Sequence, residues 1–164
     1  MNPRINEAVN QQINLELFSG YSYLAMAAYF EEEELSGFAH WFRIQAREEL
    51  GHAMKFFDYV NDANGKVELA AVAAPKARFK DALDVFKQGL EHEKRVTASL
   101  NKLMELAQKE KDFATINVLN WYINEQVEEE ANFTAAVKKL EAAGCSSGLL
   151  FLDHHFGKRS EGKA

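Results

Sequence analysis

The 164-residue sequence is poor in the features that mark secreted, disulfide-stabilised and membrane-spanning proteins. It contains a single cysteine, Cys145, which excludes an intramolecular disulfide and is typical of a reducing compartment. No apolar run approaches the roughly 20 residues that would cross a bilayer, and residues 1–7 contain no apolar signal-peptide core. We therefore expect a cytoplasmic protein without a membrane partner.

Helix breakers are also scarce, and positive charges are fewer than negative ones. Only two prolines and nine glycines occur in the chain, which favours long helices. The formal net charge of −6 argues against a nucleic-acid partner but has no bearing on small cations. Hydrophobic residues make up 47% of the chain, enough for one domain with a core, and we expect that domain to span residues 1–164.

Apolar side chains recur at steps of three and four positions along four long stretches, while the alternation typical of strands is absent. Helices are therefore predicted over residues 3–33, 38–61, 80–109, 113–143 and, as a short fifth element, 147–156. Residues 66–78 lack a helical period and are predicted to be an extended connection. Together these features predict an all-α fold: a four-helix up-down bundle over residues 4–143 with one long crossover, then the short helix and a frayed polar tail over 157–164.

The first predicted helix carries apolar side chains on more than one face. One stripe runs through Ile13, Tyr23 and Phe30, and a second set, which includes Leu15 and Leu24, lies elsewhere on the helix. A helix that is apolar on several faces needs cover on each of them. This pattern predicts contact with a partner subunit.

A polar residue or pair interrupts the apolar stripe near the middle of each long helix. These interruptions are Glu16, Glu49 with His52, Glu93, and Gln126 with Glu129. The interval of 33 positions from Glu16 to Glu49 recurs after Glu93, so the two halves of the chain repeat one pattern. The helical rise per residue then places all of these side chains in one layer of the bundle.

Glu49 and His52 lie three positions apart, which places a carboxylate and an imidazole on one helical face. An isolated Glu-x-x-His pair on a helix is usually solvated. Several carboxylates buried together, however, repel one another unless a counter-charge is present. No Lys or Arg occupies the stripes. A divalent metal is the simplest counter-charge, and oxygen ligands with one imidazole favour iron or manganese over tetrahedral zinc. The alternative is a polar layer that fixes helix register through shared protons.

Three segments resemble prokaryotic non-haem ferritins: NLELFSGYSY at 14–23, EELGH at 48–52 and NWYINEQVEEE at 120–130. Further likeness occurs at residues 113–115 and 149–153. The layer of carboxylates and histidine is the arrangement known from ferritin-like di-iron bundles. The resemblance implies a homo-oligomeric shell of 24 subunits that oxidises Fe(II) with O₂ or H₂O₂ and stores ferric mineral inside.

The resemblance also implies roles for residues at matching positions. One iron site would comprise Glu16, Glu49 and His52, and the other Glu49, Glu93 and Glu129 with Gln126 nearby. A third iron site is implied at Glu48, Glu125, Glu128 and Glu129. Tyr23 matches the tyrosine beside the iron pair and would donate an electron during oxygen reduction. Tyr23, Glu49 and His52 are the catalytic residues that the resemblance implies.

Differences from related families narrow the function further. Bacterioferritins carry Glu-x-x-His in the fourth helix, where this chain has Gln126 and Glu129, and bind haem through a methionine at the position of Leu50. We therefore expect no haem. No Cys-x-x-Cys segment is present, which disfavours rubrerythrin-like oxidases. A non-storage di-iron oxidase, or a bundle that binds metal only for structure, stays open as the alternative.

Overall fold

The computed structural model describes residues 1–160, which form five helices without a strand. The helices are α1 (Pro3–Glu32), α2 (Ser36–Asp62), α3 (Ala82–Glu110), α4 (Phe113–Ala143) and α5 (Ser146–Phe156). This confirms the predicted all-α fold with a short C-terminal helix. The prediction of a frayed tail over residues 157–164 was wrong for Arg159, whose side chain is only 20% exposed and pairs with Glu48, and residues 161–164 lie outside the described residues. None of the helices within residues 1–160 is both long enough and apolar enough to span a membrane.

The side chain of the N-cap residue fixes the start of α1, α3 and α4. The Asn2 side chain accepts a hydrogen bond from the Arg4 amide at 2.9 Å, and Pro3 occupies the first turn of α1. The carboxylates of Asp81 and Asp112 cap α3 and α4 in the same way, each accepting from a backbone amide of the first turn. Because Asp81 is the cap, α3 begins at Ala82, two residues later than the sequence predicts.

The start of α2 differs from the prediction, which placed a break at Ser36 and Gly37. Both residues belong to the helix. A Cβ at Gly37 would lie 1.9 Å from the backbone oxygen of Asp153, so only glycine lets α5 pack this closely against α2. The Asp153 carboxylate also accepts a hydrogen bond from the Phe38 amide at 2.8 Å and thereby caps α2 from another helix.

The connection between α2 and α3 is extended, as predicted, and runs along α1. The Asn6 and Asn10 side chains donate to the Lys66 carbonyl at 3.0 and 2.9 Å. The same two side chains accept hydrogen bonds from the amides of Lys66 and Glu68. These contacts satisfy backbone groups that no helix or strand satisfies. The chain thereby crosses between two hairpins, in which α1 packs chiefly on α2 and α3 on α4.

The hydrophobic core consists of two clusters, each built from all four long helices. The α5-side cluster includes Phe30, Phe42, Phe86, Phe133 and, from α5, Phe156. The N-terminal cluster includes Ile5, Phe56, Leu100 and Leu119. On each long helix the predicted polar interruption falls between the segments that form the two clusters. The polar layer therefore lies inside the bundle, bounded by apolar side chains on both sides.

Candidate metal centre

Glu16, Glu49 and His52 form the one close set of potential metal ligands within residues 1–160. One ligand atom of each lies within 4.8 Å of the others, and all three side chains are buried. On α2, His52 Nδ1 lies 3.4 Å from Glu49 Oε2. Glu16 approaches from α1 next to Gly20, where a Cβ would lie only 3.1 Å from the Ala46 carbonyl oxygen. The close approach of the two helices at this glycine brings the three ligands together.

The electrostatics of this set fit a bound cation. Glu16 Oε1 accepts a hydrogen bond from Gln12 Nε2 at 2.7 Å, but no N–H or O–H donor within residues 1–160 reaches the buried Oε2. The carboxyls of Glu16 and Glu49 can bind each other only by sharing a proton. Burial, and then the charge of Glu49, raise the pKa of Glu16 well above its usual value. Burial and the charge of Glu93 raise the pKa of Glu49 in the same way. A divalent ion would take the place of that shared proton and offset the repulsion between the carboxylates.

Glu93 joins the layer from α3 and is fully buried. Its Oε2 accepts a hydrogen bond from Gln126 Nε2 at 2.9 Å, and its Oε1 accepts one from the Tyr23 hydroxyl. Burial raises the pKa of Glu93, while these two hydrogen bonds oppose the rise. Burial and the charges of Glu93 and Glu49 raise the pKa of Tyr23 well above its usual value. Tyr23 is therefore a neutral phenol that donates to Glu93.

Glu129 completes the layer from α4. Its Oε2 accepts a hydrogen bond from Gln45 Nε2 at 2.9 Å. Burial, followed by the charge of Glu93, raises the pKa of Glu129 to about 7. The charge of Glu129 in turn raises the pKa of Glu49, so the carboxylates of the layer act on one another. The structure thus places the six residues of the predicted layer at buried positions in the middle of the bundle.

Three of the four residues of the predicted third iron site are more exposed than the layer, the exception being the buried Glu129. Glu48 and Glu125 are half-buried and Glu128 is exposed. Within residues 1–160 they do not belong to a close set of ligand atoms like that of Glu16, Glu49 and His52. Glu48 Oε2 instead forms an ion pair with Arg159 Nη2 at 2.6 Å. The third site therefore stays a prediction.

Two glutamines contact the layer although the sequence analysis gave them no role. Gln12 binds Glu16, and Ser99 Oγ donates to Gln12 Oε1 at 2.6 Å, which fixes the orientation of the amide. Gln45 binds Glu129. Each glutamine precedes a site glutamate by one helical turn, a spacing that could have singled them out. The spacing would still have paired Gln45 with Glu49, its neighbour on α2, rather than with Glu129 on α4.

Comparison with known proteins gives a consistent result for the whole length of the bundle. A family model described as a ferritin-like domain matches residues 6–143. The chain is 44% identical over 146 residues to a bacterial non-heme ferritin of Staphylococcus haemolyticus, and the match covers 89% of this chain and 88% of the relative. A bacterial non-heme ferritin of Staphylococcus aureus shows the same identity and coverage.

Solved structures of similar sequence share the fold. One is a closed form of the Archaeoglobus fulgidus ferritin made by site-directed mutagenesis, with 45% identity and a TM-score of 0.97 over 99% of both chains. Another is an open-pore ferritin from the same archaeon, with 46% identity and a TM-score of 0.96. That match covers 98% of this chain and 99% of the other. The fold comparison includes the C-terminal helix as well as the bundle.

Proposed function

Because the chain belongs to the ferritin family, we propose that it stores and detoxifies iron. It oxidises Fe(II) to Fe(III) at the buried centre and keeps ferric mineral inside a shell built from copies of itself, so iron is its substrate and its cargo. One observation carries this proposal: Glu16, Glu49 and His52 converge in a buried layer, where no N–H or O–H donor of residues 1–160 reaches Glu16 Oε2.

We assign two Fe(II) ions to the layer. Glu16, Glu49 and His52 hold the first, and Glu49, Glu93 and Glu129 hold the second, with Gln126 beside it. The charges of both Glu93 and Glu129 act on Glu49, which supports a shared site for the second ion. Since Gln126 Nε2 binds Glu93 Oε2, this amide must move or share its acceptor when the second ion arrives.

The layer suits oxidation chemically. Two adjacent Fe(II) ions supply two electrons together, and with two protons these convert O₂ to H₂O₂ without a free one-electron product. Hard carboxylate ligands favour Fe(III) over Fe(II), which helps to drive the reaction. Burial raises the pKa values of Glu16 and Glu49 while iron is absent, and so favours the protonated form of each carboxyl. Iron binding therefore releases protons from the centre.

Tyr23 is the electron donor that we assign beside the iron pair. It is fully buried, and its hydroxyl donates to Glu93, a ligand of the second ion in this assignment. Its ring is enclosed by aromatic side chains, among them Phe133 at a centroid distance of 5.7 Å. A phenol held against an iron ligand has the proton acceptor that it needs when it gives up an electron.

Exposed apolar residues support assembly into a shell. Large hydrophobic side chains are exposed on α1, α4 and α5, including Leu24, Val127 and Phe151. Such surfaces in a folded chain usually mark contacts with other chains. We propose 24 copies because of the resemblance to prokaryotic ferritins. We also propose a cytoplasmic location, which the single, unpaired Cys145 supports.

An iron-loading experiment tests the proposal. Metal-free protein receives a large excess of Fe(II) in air and is then separated by size exclusion with protein and iron both detected. We expect iron far above three ions per chain to elute with a large oligomer. Glu49→Gln and His52→Ala should slow oxidation, while Glu105→Gln, which changes an exposed glutamate of α3, should leave it unchanged.

The alternative functions give different results in the same experiment. A non-storage oxidase would consume O₂ but retain only two or three iron ions per chain on a small oligomer. A bundle that binds metal only for structure would bind Fe(II) without accelerating its oxidation. Either result would overturn the storage function. Only binding of Fe(II) without faster oxidation would also overturn the ferroxidase activity.

A further inference from the structure

A surface cleft between α3 and α4 reaches the metal layer at Gln126. Its volume is about 410 Å³, and Thr97 of α3 and Glu130 of α4 line it together with Gln126. Gln126 is buried, whereas Thr97 and Glu130 are half-buried. Neither Thr97 nor Glu130 is among the assigned iron ligands. Both nevertheless belong to the set of hydrogen bonds that surrounds the Gln126 amide, and the cleft leaves this amide room to turn.

Every group around the nitrogen end of the Gln126 amide is a hydrogen-bond acceptor. Nε2 donates to Glu93 Oε2 at 2.9 Å, and it also lies 3.2 Å from the Glu93 carbonyl oxygen and 3.3 Å from Thr97 Oγ1. The Thr97 hydroxyl donates its hydrogen to Glu130 Oε1 at 2.6 Å. A hydroxyl whose hydrogen is engaged in this way can only accept. Thr97 therefore presents a lone pair to Gln126 and selects the NH₂ end of the amide.

The contact between Thr97 and Glu130 opposes a turned amide. Rotation of the amide by half a turn would bring Gln126 Oε1 towards Thr97 Oγ1, where two lone pairs would face each other. Thr97 could relieve this repulsion only by withdrawing its hydrogen from Glu130 Oε1. A hydrogen bond to a carboxylate is roughly twice as strong as a neutral one. The turn is therefore costly as long as Glu130 holds the Thr97 hydroxyl.

We propose that Thr97 and Glu130 are positioning residues, which keep the Gln126 amide as a hydrogen-bond donor to Glu93 and prevent it from acting as an oxygen ligand of the second iron ion. This inference rests on the proposed function, because it concerns one of the two ions assigned to the layer. The NH₂ end of an amide cannot bind a cation, whereas Oε1 is a hard oxygen ligand that suits Fe(II). The two residues thereby limit the number of ligands that the second ion receives.

Titration calorimetry of the metal-free protein with Co(II) tests the inference, because Co(II) has the charge of Fe(II) and is stable in air. Thr97→Val keeps the shape of the side chain and removes the hydroxyl. We expect the second Co(II) ion to bind about tenfold more tightly to this variant, the effect of one hydrogen bond to a charged group, and the first ion to bind as in the wild type. Thr97→Ser restores the hydroxyl and should match the wild type.

Further variants separate this effect from a general change in packing. Thr97→Ala also removes the hydroxyl and should tighten the second ion in the same direction, so the test does not depend on folding of one variant. Thr134→Val makes the matched change at another half-buried threonine, more than two turns beyond Gln126 on α4, and should have no effect. In a Gln126→Leu background, Thr97→Val should leave the second ion unchanged, because its effect acts through the amide.

The visible absorption of bound Co(II) reports the ligands themselves, because its bands weaken as the number of ligands rises. The second Co(II) ion should absorb less strongly in Thr97→Val than in the wild type. Glu130→Gln, which weakens the hold on the Thr97 hydroxyl, should give an intermediate spectrum. This variant is assessed by its spectrum, since loss of a negative charge near the layer also changes the affinity for cations.

Three outcomes would overturn the inference alone. They are equal affinity of the wild type and Thr97→Val for the second Co(II) ion, a Thr97→Ser variant that behaves like Thr97→Val, and an effect of Thr97→Val that persists in the Gln126→Leu background. A wild type that binds no second Co(II) ion would overturn the di-iron centre of the proposed function as well, so the two failures are distinguishable.

Discussion

Replacement of Glu129 by glutamine should stabilise the metal-free protein at neutral and alkaline pH. Glu129 is buried, and burial together with the charge of Glu93 raises its pKa from an ordinary 4.5 to about 7. Glutamine has nearly the same shape and no charge. Its carbonyl oxygen can still accept the hydrogen bond that Gln45 Nε2 gives to Glu129 Oε2. The substitution therefore removes a buried charge without removing the contact.

The sign and size of the effect follow from proton linkage. Between pH 4.5 and about 7 the folded protein keeps a proton on Glu129 that the unfolded chain has lost. The free energy of unfolding therefore falls as pH rises through this window, and the loss is complete above it. A shift of this size corresponds to about 3 kcal/mol. Glu16 and Glu49 have raised pKa values as well, so the free energy of unfolding of the wild type falls by more than the contribution of Glu129 alone.

Urea unfolding at a series of pH values, with a chelator present, measures the difference. We expect Glu129→Gln to reduce the decline in stability between about pH 5 and 8, while Glu105→Gln leaves it unchanged. In a second series Zn(II), a redox-inert probe, replaces the chelator. The wild type should then be the more stable protein, because it offers Zn(II) a carboxylate ligand that Glu129→Gln lacks. Equal pH dependence in the wild type and Glu129→Gln, or stability of the wild type that rises across this range, would refute the reasoning.

Three further substitutions test the assignments around the centre. Tyr23→Phe removes the hydrogen bond to Glu93 and should lower the free energy of unfolding by roughly 1.5–3 kcal/mol. It should also slow Fe(II) oxidation measured by stopped flow, and an unchanged rate would contradict the electron-donor role. Gln126→Glu adds a charged ligand and should retain iron longer at the centre, as release kinetics would show; unchanged turnover would count against this. Gly20→Val forces α1 away from the Ala46 carbonyl, so Zn(II) binding by calorimetry should weaken about tenfold; wild-type affinity would show that the close approach is unnecessary.

The bundle and its polar layer could be predicted because the spacing of apolar and polar residues along each helix determines both. Apolar residues at steps of three and four define the buried stripes, and Glu16, Glu49 and Glu93 interrupt those stripes at matching heights. The interval of 33 positions between polar residues, which occurs in both hairpins, independently predicted that the polar residues share one layer. The structure shows these side chains buried where the spacing predicts.

Contacts between distant segments could not be predicted in this way. Gly37 looked like a helix break, but its missing side chain makes room for Asp153, which lies in α5. Helical spacing relates Gln45 to Glu49, yet the amide turns to Glu129 on α4. Arg159 lies in a polar segment without periodicity, so nothing local indicates its ion pair with Glu48. In each case the partner is set by tertiary packing rather than by neighbouring residues.

The division of the core into two clusters has a consequence for folding cooperativity. Each cluster contains residues of all four long helices and is large enough to act as a separate cooperative unit. In the metal-free chain the layer between them contains carboxylates that repel one another, and this repulsion opposes the stabilisation from the hydrogen bonds that Glu93 and Glu129 accept across helices. A cation held by Glu16, Glu49 and His52 joins α1 to α2 at that seam. We therefore expect a cation bound there to strengthen the coupling between the two half-cores, so that filling the centre makes unfolding of the chain more cooperative.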